Sequence, residues 1–387
     1  PLAAVPVPLA EALGCVLAGA EVAHDPVPPF ANSAMDGYAV RSVDVADAGP
    51  DRPVRLRVVA DLHAGHSAEV EVGPGCAVRI MTGAPMPPGA DAVVVVERST
   101  PTDDGAVLLT ETAAPGRHVR PAGDDIAPGQ EALAAGTVLT AAHLGVLAAL
   151  GRRTPTVVPR PTVGILSTGD ELVDDDGPLQ PGQIRETNRP TLVAAAAGFG
   201  VRAVDLGTVP DDRDRIRAAL IDAARHHDAV VTTGGVSMGD VDLVKVVLAE
   251  VADMRWMQVA IKPAKPLAFG TLTASDGRAV PIFGLPGNPV SSLVSFELFA
   301  RPGLRRMAGH AVLDRPSVRG VLDEPLRRHT DGKTHFVRVH AAFAPDGRLH
   351  VRAGGAQGSH QLAATAAANA IAVLPDGDGL EAGATAD

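Results

Sequence analysis

The stretch Thr232-Thr233-Gly234-Gly235-Val236-Ser237-Met238-Gly239-Asp240-Val241-Asp242 is where the reading of this chain begins. It follows the apolar run Ala229-Val230-Val231 and leads into a helical pattern of Val241, Val244, Lys245, Val247, Leu248 and Val251. A buried strand that stops at glycines and then becomes a helix leaves backbone N–H groups pointing into open space. Glycine lets a ligand approach the main chain, and a helix N-terminus favours negative charge. A tight strand-to-helix turn would use the same glycines. Ser237, Asp240 and Asp242 in the same loop make a phosphate, or a metal-bound phosphate, the second reading.

Outward from this loop, strand-like runs at 162–166, 201–206, 229–231, 256–261 and 280–283 alternate with helical patterns. That alternation predicts an α/β domain with a largely parallel sheet. Pro190 suits the first turn of a helix over 191–197, with Gly198 at its exit. Asp211 and Asp212 start the next helix, whose apolar face is Ile216, Ala219, Leu220 and Ala223, and Asn288-Pro289 opens the last one.

Ligands of open α/β sheets bind beyond the carboxyl ends of the strands. Three such ends carry distinctive loops: Ser167-Thr168-Gly169-Asp170-Glu171, the opening stretch, and Gly284-Leu285-Pro286-Gly287-Asn288-Pro289-Val290-Ser291-Ser292. The run at 256–261 ends in Lys262-Pro263-Ala264-Lys265-Pro266, two lysines on a proline-stiffened loop. Alone this is a solvated charged loop; beside the glycine loops it reads as an oxyanion site. Asp170, Glu171, Asp240 and Asp242 supply hard oxygen ligands suited to Mg²⁺ bridging phosphates. Neither GxxxxGK[ST] nor a GxGxxG after the first strand is present, which disfavours a P-loop hydrolase and a dinucleotide dehydrogenase. The residues thus point to a phosphate-bearing small molecule, a divalent cation and a second oxyanion on basic side chains.

The flanks differ in character. Residues 9–23 read as a short helical segment, and 28–40 is proline-rich with a turn at Asp36-Gly37. From 42 to 125, short alternating runs such as Val54-Arg55-Leu56-Arg57-Val58-Val59 predict an inserted β-rich domain. His63 and His66 lack a third metal-type ligand and read as surface loop. A helical pattern returns at 141–150, and the pattern around Pro345-Asp346-Gly347 predicts a hairpin in a small C-terminal β domain. The expected organisation is 1–41 with 126–156 as a discontinuous helical and linker domain, 42–125 as the insert, 157–308 as the α/β domain and 309–387 as the C-terminal β domain.

Bulk composition sets limits. With 387 residues, 46% of them hydrophobic and 20% charged, the chain reads as a soluble multidomain protein. A net charge of -11 argues against an extended nucleic-acid surface. Cys15 and Cys76 form no CxxC or zinc-type spacing, which fits a reducing compartment. The start of the chain does not read as a signal peptide and no window reads as a membrane span, so a cytoplasmic location is expected.

Several motifs together resemble the molybdopterin molybdotransferase family, the MoeA-like proteins and the gephyrin E domain. They are PPFANSAMDGYAV at 28–40, RIMTGAPMPPGADAVV at 79–94, RPAGDDI at 120–126, then GILSTGDEL, TGGVSMGDVD, IKPAKP and GLPGNPVS, and finally an Arg338 segment with Gly358-Ser359-His360. The SAMDGYA segment and the two β domains favour the transferase over the adenylyltransferases that share the α/β loops. The resemblance implies a molybdopterin-binding-like α/β domain and a reaction in which molybdate meets adenylylated molybdopterin, AMP leaves and molybdenum remains on the dithiolene. By motif position it implies Lys262, Lys265, Ser291, Arg338 and Ser359 as molybdate-side residues. It places Asp36, Thr82, Asp125, Glu171, Asp211 and Asp242 on catalytic, metal or substrate positions, with Glu171 and Asp242 assigned to Mg²⁺. Ser167, Thr168, Gly169, Gly234, Gly235, Ser237, Gly239, Pro286, Gly287 and Asn288 fall to the pterin phosphate and AMP. It further implies a homodimer whose site is shared between subunits, with an adenylyltransferase and apo-molybdoenzymes as partners. A scaffold of the gephyrin type and an adenylyltransferase are the competing functions. Ala264 departs from the family's usual Gly in the lysine loop, and the chain from Pro1 to Asp387 is expected to stop short of the family's terminal helix and strand.

Overall fold

A computed structural model describes residues 1–235 and 243–386. The chain forms two compact units, one of Val7–Leu13 with Gly19–Pro155, the other of Pro1–Pro6, Gly14–Ala18 and Thr156–Asp387.

The first unit is built on a six-stranded sheet of β1 (Gly37–Val40), β2 (Val54–Leu62), β3 (Cys76–Ile80), β4 (Ala92–Val95), β5 (Ser99–Pro101) and β6 (Ala106–Leu109), in the order β4-β1-β3-β2-β6-β5. Side chains alternate between faces along a strand. Tyr38 and Val40 accordingly join one core with Leu56, Ala77 and Leu109, while Ala39 joins the other with Val78, Ile80 and Val93. Gly37 lets β1 and β4 approach closely, because a Cβ there would collide with the Val94 carbonyl. The same unit carries helix α1 (Ala141–Ala149), opened by a capping box between Thr140 and His143.

Residues 9–23 are not the expected helix. Only Leu9–Glu11 form a 3-10 turn; Val16–Leu17 and Glu21–Val22 are short strands paired with Thr156–Val158 and Glu131–Leu133. Gly14, at φ 77°, breaks the run, and the pairing comes from residues more than a hundred positions away.

The second unit is built on two six-stranded sheets, with a three-stranded sheet and two strand pairs beside them. The larger comprises β7 (Thr162–Thr168), β8 (Arg202–Val209), β9 (Ala229–Thr233), β10 (Ala252–Gln258), β12 (Pro266–Thr273) and β13 (Ala279–Leu285). Its order is β8-β7-β9-β13-β12-β10; the first four strands run parallel and the last two antiparallel. The helices are α2 (Asn188–Ala197), α3 (Arg213–His226), α4 (Leu243–Val251), α5 (Pro289–Ser295) and, after a π turn at Phe296–Ala300, α6 (Arg301–Met307). Leu166, Val230 and Ile282 bury against Ile216, Leu220, Val244, Val247 and Leu248 on one face. Ile165, Val231 and Phe283 bury against Leu192, Phe296 and Leu304 on the other. At roughly 1.5–3 kcal/mol per fully buried side chain, these two layers hold the strand ends in place.

The antiparallel pair corrects the expected strand at 256–261. Strand β10 ends at Gln258, and β12 was not anticipated. Helix α4 runs into β10 at Val251–Ala252 with no Gly or Pro between them, so the boundary carries no local signal. Ile261–Lys262 (β11) instead joins the smaller sheet, with β14 (Gly320–Leu322), β15 (Thr334–Phe343), β16 (Leu349–Ala353), β17 (Ala370–Leu374) and β18 (Thr385–Ala386). Its order is β11-β15-β16-β14-β18, with β17 also paired to β15, and β15–β16 is the expected hairpin. No helix among the described residues is long and apolar enough to cross a membrane.

Candidate active site

The parallel register aligns the strand ends. Ser167 pairs with Thr233, and Thr233 with Leu285, so the loops after β7, β9 and β13 leave one edge together. They touch through main chain: a Cβ on Gly234 would lie 2.8 Å from the Thr168 carbonyl oxygen, and one on Gly287 would lie 3.7 Å from the Gly234 Cα. The Gly234 N–H donates to the Leu285 carbonyl at 3.2 Å. Thr168, Gly169, Gly234, Gly235, Pro286, Gly287 and Asn288 are thereby brought to one edge.

Ser167 is an exception. Its side chain is fully buried and bonded to the Thr208 hydroxyl at 3.0 Å, so it stitches β7 to β8. Asn288 occupies the N-cap of α5 but makes no side-chain capping bond, with Pro289 in the first turn. Ser237, Gly239, Asp240 and Asp242 lie outside the described residues.

Acidic groups border the same edge. The Glu171 carboxylate folds back over Gly169, where an added Cβ would meet its Oε2 at 2.5 Å. Asp170 accepts from the Asp211 N–H at 3.0 Å, next to the N-cap Asp212 of α3, which accepts from the Arg215 N–H at 2.9 Å. Asp170, Glu171 and Asp211 are exposed. Among the described residues no group of three His, Cys, Asp or Glu side chains could enclose a metal. The carboxylates suit Mg²⁺, which takes one or two carboxylates and completes its shell with water and phosphate oxygens.

The basic group gathers around β15. Lys262 pairs with His335 in the parallel β11–β15 ladder, three positions before Arg338 on the same strand. Lys262 and Lys265 are exposed and form no ion pair with a described residue. Arg338 is 2% exposed. Its Nη2 donates to the carbonyls of Ala356 at 2.8 Å and Gly358 at 3.2 Å, while Nε and Nη1 are buried without a partner among the described residues. No described carboxylate pairs with it, and burial pushes the guanidinium pKa down. Ser359, next to Gly358, accepts the Val290 N–H at 3.0 Å through its carbonyl, which places it against α5 and the buried Ser291. Arg338, Ser359 and Ser291 therefore sit on one chain of contacts. Between the lysines, Ala264 is buried at φ 78°, a left-handed conformation that glycine takes without strain.

Residues 1–151 match the MoeA N-terminal region (domain I and II), 164–306 the probable molybdopterin binding domain, and 319–387 the MoeA C-terminal region (domain IV). The chain is 41% identical over 381 residues to molybdopterin molybdenumtransferase 2 of Mycobacterium tuberculosis, covering 96% of this chain and 91% of that protein. It is 37% identical over 348 residues to molybdopterin molybdenumtransferase of Haemophilus influenzae, covering 90% and 84%. The crystal structure of the molybdopterin biosynthesis MoeA protein from Pyrococcus horikoshii OT3 superposes with a TM-score of 0.75 at 30% identity, covering 99% of this chain and 93% of that one. This chain belongs to the MoeA family.

The N-terminal MoeA region places its predicted residues by itself. Asp36 Oδ1 accepts from the Thr82 N–H at 2.7 Å and from the Thr82 hydroxyl at 2.8 Å. These bonds, the backbone one foremost, with a lesser contribution from Arg79, hold the Asp36 carboxyl below its usual pKa. Asp125 is separate: its N–H donates to the Val27 carbonyl at 3.0 Å and its exposed carboxylate bonds to no described residue.

Two residues of the molybdopterin-binding-domain match, Glu186 and Asn188, also approach the strand-end loops without a motif that marks them. They lie in the stretch Glu186-Thr187-Asn188-Arg189-Pro190, where Pro190 is the conspicuous helix signal. An acid two residues before a helix start was the available signal.

Proposed function

We propose that this chain is a molybdopterin molybdenumtransferase, which accepts adenylylated molybdopterin and molybdate, releases AMP and leaves molybdenum on the substrate's dithiolene. The observation that carries the reading is the presence, within one compact unit, of glycine-lined strand-end loops and of a buried arginine that has no acid partner among the described residues. The backbone N–H groups of the loops suit phosphate and pyrophosphate oxygens. Arg338, Lys262 and Lys265 suit molybdate, with Ser291 and Ser359 as its neutral neighbours. The dithiolene belongs to the substrate, so no protein thiol is needed, in keeping with Cys15 and Cys76, which are not joined in a disulfide.

Glu171 and Asp242 are the residues we assign to Mg²⁺, which when bound would neutralise phosphate charge during AMP release. Asp36 and Thr82 are assigned to substrate contact in a homodimer whose site is shared between subunits, and the cytoplasm is the proposed location. Asp125 and Asp211 keep their assignments from motif position, as do an adenylyltransferase and apo-molybdoenzymes as partners.

The test incubates the purified protein with adenylylated molybdopterin, Mg²⁺ and molybdate and follows AMP by chromatography. AMP release dependent on molybdate, with activation of an apo-molybdoenzyme, is the expected outcome. A folded protein that releases none overturns the proposal, and consumption of ATP with molybdopterin would reassign it as an adenylyltransferase.

A further inference from the structure

Asn188 opens α2 and reaches two of the strand-end loops at once. Its Nδ2 donates to the Thr233 hydroxyl oxygen at 2.8 Å and to the Gly287 carbonyl at 2.7 Å. A carbonyl can only accept, so the Gly287 bond fixes which end of the amide faces the loops. Thr233 is the last residue of β9 before Gly234 and Gly235, and Gly287 lies between β13 and α5. The Thr233 hydroxyl also reaches the Pro286 carbonyl at 3.3 Å and the Ser292 hydroxyl at 3.2 Å. One amide thus stands at the junction of both loops and α5.

The base of Asn188 is anchored from the other side. Glu186 Oε1 accepts the N–H groups of Asn188 at 2.6 Å and Arg189 at 3.1 Å. That carboxylate occupies the N-terminus of α2, where an external anion would otherwise be drawn. The Arg189 guanidinium is buried and paired with Asp174 and with Asp205 of β8. The start of α2 is therefore fixed to the sheet, and Asn188 carries that fixed position to the loops. Besides the Asn188 amide, the two loops are joined by the Gly234-to-Leu285 bond, by the reach of the Thr233 hydroxyl to Pro286 and Ser292, and by main-chain contact at Gly234 and Gly287, and the Thr233 hydroxyl is itself a partner of Asn188.

We propose that Asn188 is a positioning residue, which acts through Thr233 and Gly287 to set the spacing of the two backbone loops that hold the anionic part of the substrate. The inference rests on the molybdenum-transfer reading for the identity of that substrate. It differs from a purely structural latch in what its loss affects: loop order and ligand affinity, not the sheet.

The test compares the full chain with its Asn188→Ala and Asn188→Asp variants, the latter of equal size but with a carboxylate facing the Gly287 carbonyl. Hydrogen exchange is followed at Gly234, Gly235 and Gly287 and along β7 and β8, together with the affinity for AMP and the kinetics of AMP release. Two neutral hydrogen bonds set the scale at roughly tenfold. In Asn188→Ala the loop amides exchange about tenfold faster with β7 and β8 unchanged, AMP binds about tenfold more weakly, and KM rises by a similar factor while kcat stays within about threefold. Asn188→Asp is at least as impaired. Unchanged loop exchange in both variants overturns the proposal, and so does faster exchange spread evenly through the sheet. If the unaltered protein neither binds AMP nor turns over, the molybdenum-transfer reading fails, while the exchange data still decide the role of Asn188.

Discussion

Two buried arginines in the C-terminal β region allow a quantitative comparison. The Arg328 guanidinium donates to the carbonyls of Lys333, Leu374 and Pro375 and to the carboxylates of Asp331 at 2.8 Å and Asp376 at 2.6 Å. Arg338 reaches two carbonyls and no described acid, and its Nε and Nη1 have no partner among the described residues. Replacing Arg328 with Met breaks a buried ion-pair network, which costs about 3–5 kcal/mol; the partial exposure of Asp331 and Asp376 favours the lower end. For Arg338→Met, the two lost charge-assisted bonds cost about 1.5–3 kcal/mol each, offset by removal of a desolvated charge, uncompensated among the described residues, worth several kcal/mol. The two sides roughly cancel, so the expected net effect is within about 2 kcal/mol of zero and smaller than the Arg328 loss. Urea unfolding followed by Trp256 fluorescence is the assay, since the single tryptophan lies in the same compact unit as both arginines. Molybdate at a hundredfold above its Kd should stabilise the unaltered protein by about 2.7 kcal/mol and leave Arg338→Met unmoved. Equal losses in the two variants would refute the reasoning, because Arg338 would then be a satisfied structural group and not a site waiting for an anion.

Further outcomes follow from single positions. Gly37→Ala drives a Cβ into the Val94 carbonyl between two buried strands, so the N-terminal unit should lose about 1–3 kcal/mol or more in denaturant titrations. Ala264→Gly should change stability by less than about 1 kcal/mol, because relief of the left-handed strain is offset by the lost buried methyl and the added chain entropy. His350, bonded to Asp323 at 2.5 Å and Asp346 at 3.1 Å, has its pKa raised above 6.5, chiefly by the Asp323 bond. Its contribution to stability is fully present below the unfolded value and lost as pH rises through the folded one; an NMR titration midpoint at or below 6.5 would contradict this. Thr82→Val removes one of the two bonds to Asp36 Oδ1, so the Asp36 carboxyl should titrate at higher pH than in the unaltered protein, read by NMR.

Much of this protein is legible in local pattern. Glycines 234, 235 and 287, the Asp212 cap and the Asn288-Pro289 start act within a few residues, and the core-facing residues of α3 follow a 3.6-residue period. Such signals depend only on backbone dihedrals and on which side of an element is apolar, so they survive in a one-dimensional reading. The pairing of 252–258 with 266–273, and the transfer of Ile261–Lys262 to the smaller sheet, carried no comparable mark. Ser167 looked like a loop ligand and is a buried stitch to Thr208, because the register of β7 against β8 turns it inward. The lack, among the described residues, of an acid beside Arg338 and the reach of Asn188 to Thr233 and Gly287 belong to the tertiary structure alone. Residue type states what a side chain can donate or accept. Only packing, which brings together groups 45 and 99 positions apart, decides whether that capacity is spent inside the protein or left for a ligand.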